Sequence, residues 1–174
     1  MIPMRARLLA ASAAILLAAA ATAQEVSRWD EVVPKGAGFA IRMPGIPAQE
    51  TNAETSAKQL EIRTGDRRYF VSYRALTPAE GKADPTATLE KLRDAFIATM
   101  FNTELRQSAK APLGSAPGLV WTFDAQAANN PPLRIRGRMV LAKGRLYMLI
   151  YVDRRFAFDE AAADQWFESF RLVE

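Results

Sequence analysis

Apolar and polar residues alternate with a period of two along most of this chain, and twice the alternation gives way to helical spacing. After Val26 to Val33, which holds Trp29, Pro34-Lys35-Gly36-Ala37-Gly38 marks a turn and Phe39 to Met43 predicts a short strand. Pro44-Gly45-Ile46-Pro47 breaks that strand. From Gln49 to Leu76 the alternation resumes: Gln49 to Arg63 forms one long strand or two short ones, Thr64-Gly65-Asp66 a hairpin turn, and Tyr69 to Leu76 the return. In the return, Tyr69, Val71 and Tyr73 share one face, while Phe70, Ser72 and Arg74 share the other.

Asp84-Pro85 then supplies an N-cap and the residue best tolerated in a first helical turn. Leu89, Leu92, Phe96 and Met100 follow at helical spacing, with Glu90, Lys91, Arg93 and Asp94 opposite, which predicts an amphipathic helix whose apolar stripe covers a sheet. Glu104 to Leu113, Gly118 to Ala125, Leu133 to Ala142 and Leu146 to Asp153 read as four further strands, punctuated by Pro112, Gly114, Pro117, Asn129-Asn130-Pro131-Pro132 and Lys143-Gly144. Asp159 caps a last helix with Ala163, Trp166, Phe167 and Phe170 on one side. Two antiparallel meanders, each followed by a helix, predict an α+β sandwich.

The start of the chain obeys a different logic. Arg5 and Arg7 precede a thirteen-residue run, Leu8 to Ala20, that falls short of the roughly 20 apolar residues a membrane span needs, and Ala21-Thr22-Ala23 follows. This predicts a signal peptide over residues 1–23, cleaved between Ala23 and Gln24, and one periplasmic or secreted domain over 24–174. No cysteine follows the run to accept a lipid, so no membrane anchor is expected after cleavage. The two arginines are separated by Ala6, which disfavours a twin-arginine signal.

Composition removes whole classes of chemistry. Cysteine and histidine are both absent, so sulfur redox chemistry, most zinc sites and every Ser-His or Cys-His arrangement fall together. The signal holds two of the 23 basic residues and none of the 19 acidic ones, leaving a mature net charge of +2, too mild to predict a nucleic-acid partner. Ser115 and Ser169 have no base nearby, and Gly36 and Gly38 lack the rest of a phosphate loop. No catalytic residue, cofactor or metal ligand is assigned; an enzyme would be confined to carboxylate, Lys or Arg chemistry.

The most distinctive stretch is Leu133-Arg134-Ile135-Arg136-Gly137-Arg138-Met139, which places three arginines on one strand face. A turn over Ala142 to Arg145 sets Arg138 opposite Leu149, Arg136 opposite Tyr151 and Arg134 opposite Asp153. On the other side, aligned apolar faces pair Trp121 with Gly137, Phe123 with Ile135, Thr122 with Arg136 and Asp124 with Arg134. This register gives Arg134 two carboxylates and Arg136 the ring of Tyr151, pairs that contribute about 0.2–1 kcal/mol each. A solvated, self-neutralised face and an anion-binding face are the two readings of the ladder. Arg138 lacks an acidic partner and is the best single candidate for an external contact.

Phe39-Ala40-Ile41-Arg42-Met43-Pro44-Gly45-Ile46-Pro47 near the mature start, Gly144-Arg145-Leu146-Tyr147 in the late hairpin and Phe167-Glu168-Ser169-Phe170 near the end give an order that resembles the PsbP-like superfamily, including the DcrB-type bacterial envelope proteins. The resemblance implies an α/β/α sandwich around an antiparallel sheet and a non-enzymatic accessory or binding role. It carries over no functional residue, and the lipid-accepting cysteine of the DcrB-type lipoproteins is missing. The leading expectation is a non-catalytic periplasmic module that binds an envelope protein or component. The alternative is a small anionic or amphipathic ligand held between sheet and helix by Arg136, Arg138, Tyr147 and Tyr151.

Overall fold

The computed structural model describes residues 29–126 and 129–174. The predicted signal peptide and its predicted cleavage site lie outside the described residues. Two short strands come first, β1 (Asp30–Val32) and β2 (Phe39–Met43), followed by β3 (Ala48–Thr51), β4 (Lys58–Thr64) and β5 (Arg67–Ala75). Helix α1 (Pro85–Ile97) leads to β6 (Thr103–Lys110), β7 (Gly118–Ala125), β8 (Leu133–Ala142) and β9 (Arg145–Arg154). A single 3-10 turn (Arg155–Ala157), α2 (Glu160–Ser169) and β10 (Arg171–Leu172) complete the fold.

The two meanders form one antiparallel seven-stranded sheet in the order β3-β4-β5-β9-β8-β7-β6, joined where Tyr69 pairs with Tyr151 and Val71 with Leu149. Period-two alternation divides its residues between two cores. On one face Tyr69, Val71, Tyr73, Tyr147, Leu149 and Tyr151 pack beneath Trp166, Phe167 and Phe170 at α2 and Phe39, Ile41 and Met43 of β2. On the other face Trp121, Phe123, Ile135, Met139 and Ile150 pack beneath Leu89, Leu92 and Phe96 of α1. The result is the expected α/β/α sandwich.

Both helices start where the sequence places their caps. The Asp84 carboxylate accepts the Ala87 N–H at 2.8 Å, and Asp159 accepts the Ala162 N–H at 2.9 Å. The turn between β8 and β9 is the two-residue Lys143-Gly144, both at positive φ (50° and 72°), the form whose twist matches a hairpin. That turn pairs Leu141 with Leu146, and every cross-strand partner of the arginine ladder follows in the predicted register.

Elsewhere the structure decides what the pattern left open or corrects what it misplaced. Gln49 to Arg63 is two strands, split where the Asn52 side chain accepts the N–H groups of Glu54 and Thr55 at 3.0 and 2.9 Å in a local turn. β6 ends at Lys110, because Pro112 has no N–H to continue the ladder, and Leu113 makes only an isolated bridge to Ala116. α1 ends at Ile97, so Met100 of the predicted stripe lies beyond the helix. β2 joins neither meander: it pairs with β1 and with β10 in a separate three-stranded sheet. β10 is two residues long, too short for its alternation to register in the sequence.

Candidate functional site

α2 and the small sheet cover β4, β5, β9 and part of β8. Beyond α2 the same face carries Val120, Thr122 and Asp124 of β7 beside an open groove of about 610 Å³. Its charged lining is Arg106, Arg134, Arg136 and Arg155 with Glu160 and Asp164 of α2.

Asp124 organises one end of the groove. It is buried (6% exposed) and accepts Arg134 Nε at 2.9 Å and Nη2 at 3.3 Å and Arg106 Nε at 3.0 Å, with Arg155 Nε 3.3 Å away. Arg106 is the extra residue of a bulge between Leu105 and Gln107, a common device for re-aiming a side chain. Bonding to Arg134, ahead of Arg106, holds the Asp124 carboxyl below its usual range although burial pushes the other way. A carboxylate so held is an ion at neutral pH and a poor proton donor.

Arg136 is satisfied from the layer above. Its Nη1 donates to Asp164 at 2.6 Å, Glu160 lies at 3.5 Å, and the guanidinium carbon sits 5.3 Å from the Phe167 ring centre. The expected aromatic partner, Tyr151, is opposite in register, but the ring that Arg136 covers belongs to α2. Asp153 is likewise opposite Arg134 as predicted, yet it pairs with Arg67 Nε of β5 at 3.4 Å and accepts the Tyr151 hydroxyl at 3.3 Å. Arg134 therefore draws on one carboxylate of the expected two.

Tyr147 and Tyr151, counted among the ligand contacts from sequence, are fully buried. The Tyr147 hydroxyl donates to the Ala37 carbonyl at 3.0 Å, and burial pushes the Tyr151 phenol well above its ordinary value. Both belong to the core under α2 and β2, so the groove is bounded by charged residues and by Val120 and Thr122 instead. Ser169 is structural too: its hydroxyl donates to the Trp166 carbonyl at 2.7 Å and accepts the Arg42 N–H at 3.0 Å.

Arg138 has no such partners. Its Nε is buried without a hydrogen bond, and no carboxylate among the described residues lies within ion-pairing distance. Burial alone depresses its guanidinium pKa. The sequence reading named Arg138 and Arg136 but missed Arg106, Arg155, Glu160 and Asp164. The last two were within reach, since their four-residue spacing puts both acids on one face of the closing helix. The bulge that delivers Arg106 leaves no mark on the sequence.

No family model matches this chain, and no curated protein matches it. Among solved structures it is similar to the cyanobacterial PsbP (CyanoP) of Synechocystis sp. PCC 6803, at TM-score 0.59 and 11% identity over 83% of this chain and 92% of that one. LpqN of Mycobacterium tuberculosis, a protein involved in cell envelope biogenesis, gives TM-score 0.59 and 12% identity over 83% and 90%. The protein PA94 of Pseudomonas aeruginosa gives TM-score 0.53 and 10% identity over 79% and 92%. At these identities the likeness is one of fold, which is PsbP-like.

Proposed function

We propose that this chain is a non-catalytic accessory module that works after export, in the periplasm or outside the cell, by binding an envelope protein or component. The observation that carries the reading is the groove beside α2: an open, charge-lined sheet face whose carboxylates are neutralised by arginines. At its end the Asp124 carboxyl is held below the ordinary range by bonding to Arg134 and Arg106, against the opposing effect of burial. General acid catalysis asks for the reverse, a carboxyl raised towards neutral pH. An ordered array of paired charges suits orientation and selectivity in a contact surface. The envelope setting draws on the predicted signal peptide, on the resemblance to DcrB-type envelope proteins and on the stated role of LpqN.

The test is capture from an envelope extract by the exported form, recovered after expression of the full chain. A defined envelope protein retained by the wild type and released by an Arg136→Ala/Arg138→Ala variant of unchanged fold supports the reading. Retention of nothing, or equal retention by the variant, overturns a partner interface on this groove.

A further inference from the structure

We propose that Arg138 is a docking point for a carboxylate attached to an apolar group. The inference rests on the binding reading above and names the chemistry of what is bound.

The argument begins with rows across the sheet. In an antiparallel sheet, residues that pair across successive strands share a face, so each ladder arginine belongs to a row of neighbours. Arg134 shares its row with Asp124 and Asp153, and Arg136 with Thr122 and Tyr151. The row of Arg138 runs Ala109, Val120, Arg138, Leu149, Val71 and Leu60. It is apolar on both sides of a single cation.

The layer above does not compensate. The groove-lining acids of α2, Asp164 and Glu160, are engaged with Arg136. Arg138 thus keeps a permanent charge beside hydrocarbon, with Nε sealed from water and unbonded, while the residue as a whole retains part of its surface open. Removing a charged donor from water without a partner is costly, and an orphaned donor of this kind calls for a specific explanation. The two Nη groups, unpartnered but not buried, are where an oxyanion supplied from outside meets the guanidinium and balances its charge.

The surroundings define that oxyanion. One unpaired guanidinium matches one negative charge, and its planar fork matches a carboxylate; a phosphate dianion would need a second free cation. On the β9 side Leu149 is fully buried, so a ligand cannot extend there. On the β7 and β6 side Val120 is partly exposed and Ala109 exposed, which leaves an apolar shelf next to the cation. A free aliphatic acid and the C-terminal residue of an apolar-ended polypeptide both present this combination.

The experiment follows the Arg138 Nε–H signal by NMR in the exported protein. Hexanoate, a tripeptide ending in a free leucine carboxylate, the same tripeptide as its amide, inorganic phosphate and chloride are titrated at constant ionic strength. The expected result is a saturable shift with hexanoate or with the peptide acid, at least about tenfold stronger than with the amide or chloride. The stronger of the two acids identifies the source. Arg138→Met keeps the row apolar and the fold intact; it is expected to abolish saturation, read on the neighbouring Val120 and Leu149 amides, and Arg138→Lys to restore part of it. Saturation undiminished in Arg138→Met, a response to hexanoate and the peptide acid no stronger than to chloride, or tighter binding of phosphate than of either acid overturns the site. Capture of an envelope protein that persists in Arg138→Met, with no carboxylate binding, would leave the accessory reading standing and remove this one.

Discussion

Placing a methyl group at Gly137 tests the packing that fixes the arginine face. Gly137 lies in β8 opposite Trp121 of β7, and the indole occupies the space a side chain would fill. A Cβ built there would sit 2.2 Å from Trp121 Cζ2, 2.3 Å from Cε2 and 2.8 Å from Nε1. Ordinary carbon contacts lie at about 3.5–4.0 Å, so the ring must withdraw by more than an ångström. It has nowhere to go, because Trp121 is only 1% exposed and lies beneath α1 with Phe123 and Ile135. Overpacking typically costs about 1–3 kcal/mol, and a rigid, enclosed ring puts this site at the upper end. The conformational freedom that alanine removes from the unfolded chain returns about 0.4–1 kcal/mol.

Gly137→Ala is therefore expected to lose about 2 kcal/mol net, a fall in Tm of about 4–8 °C for a domain of this size. Urea unfolding at 25 °C measures the free energy, and a Trp121→Leu background isolates the cause. With the indole gone, the added methyl fills space that would otherwise be empty, so the same substitution should cost at least about 1 kcal/mol less there. Equal costs in the two backgrounds, or a single variant within about 0.5 kcal/mol of wild type, would refute the argument that Trp121 requires glycine.

Three further outcomes follow from the charges and the caps. Glu80 is held at about 2 by two bonds to Arg74, at 2.6 and 2.7 Å, with the Thr77 N–H helping and burial opposing. A folded value below the unfolded one stabilises fully above about pH 4.5 and is lost as pH falls towards about 2. Glu80→Gln should accordingly cost about 1.5–3 kcal/mol at pH 7 and only a small part of that near pH 2, and a pH-independent cost in urea titrations would refute it. Asp159→Ala removes the cap on Ala162 and the 2.9 Å ion pair to Arg67, with an expected loss of about 1 kcal/mol by thermal unfolding; no change would show that the 3-10 turn alone seats α2. N-terminal sequencing of the exported form should begin at Gln24, and retention of Met1 would refute the predicted signal peptide.

What was legible in the sequence lies along the strands and across their pairs. Lys143-Gly144 admits a two-residue turn, the turn fixes one pair, and the requirement that apolar faces coincide fixes the rest; Trp121 over Gly137 and Asp124 beside Arg134 both follow from that. Interruptions made by side chains bonding their own backbone were harder to see, as at Asn52, because asparagine is equally at home in a loop and at a strand end. The separate sheet of β1, β2 and β10 was out of reach. Its pairing joins Phe39 to Leu172 across nearly the whole domain, and two residues of alternation carry no usable period.

The three ladder arginines show why partner assignment needs both the plane of the sheet and the layer above it. In-plane neighbours follow from register, and on that axis Arg134 finds Asp124 as the pattern required. Contacts between layers depend on where α2 crosses, which no periodicity states. Arg136 therefore takes Asp164 and Phe167 in place of the ring of Tyr151, and Asp153 is claimed by Arg67 from another strand. A tyrosine on an alternating strand reads as a ligand contact or as core with equal ease; the helix laid over Tyr147 and Tyr151 decides for core. A cation stays free only where both axes fail to supply a counter-charge. For Arg138 the row is apolar and the nearby helix acids are engaged one step along the ladder, so the solvent-open shelf over Val120 and Ala109 is the direction from which a partner can come.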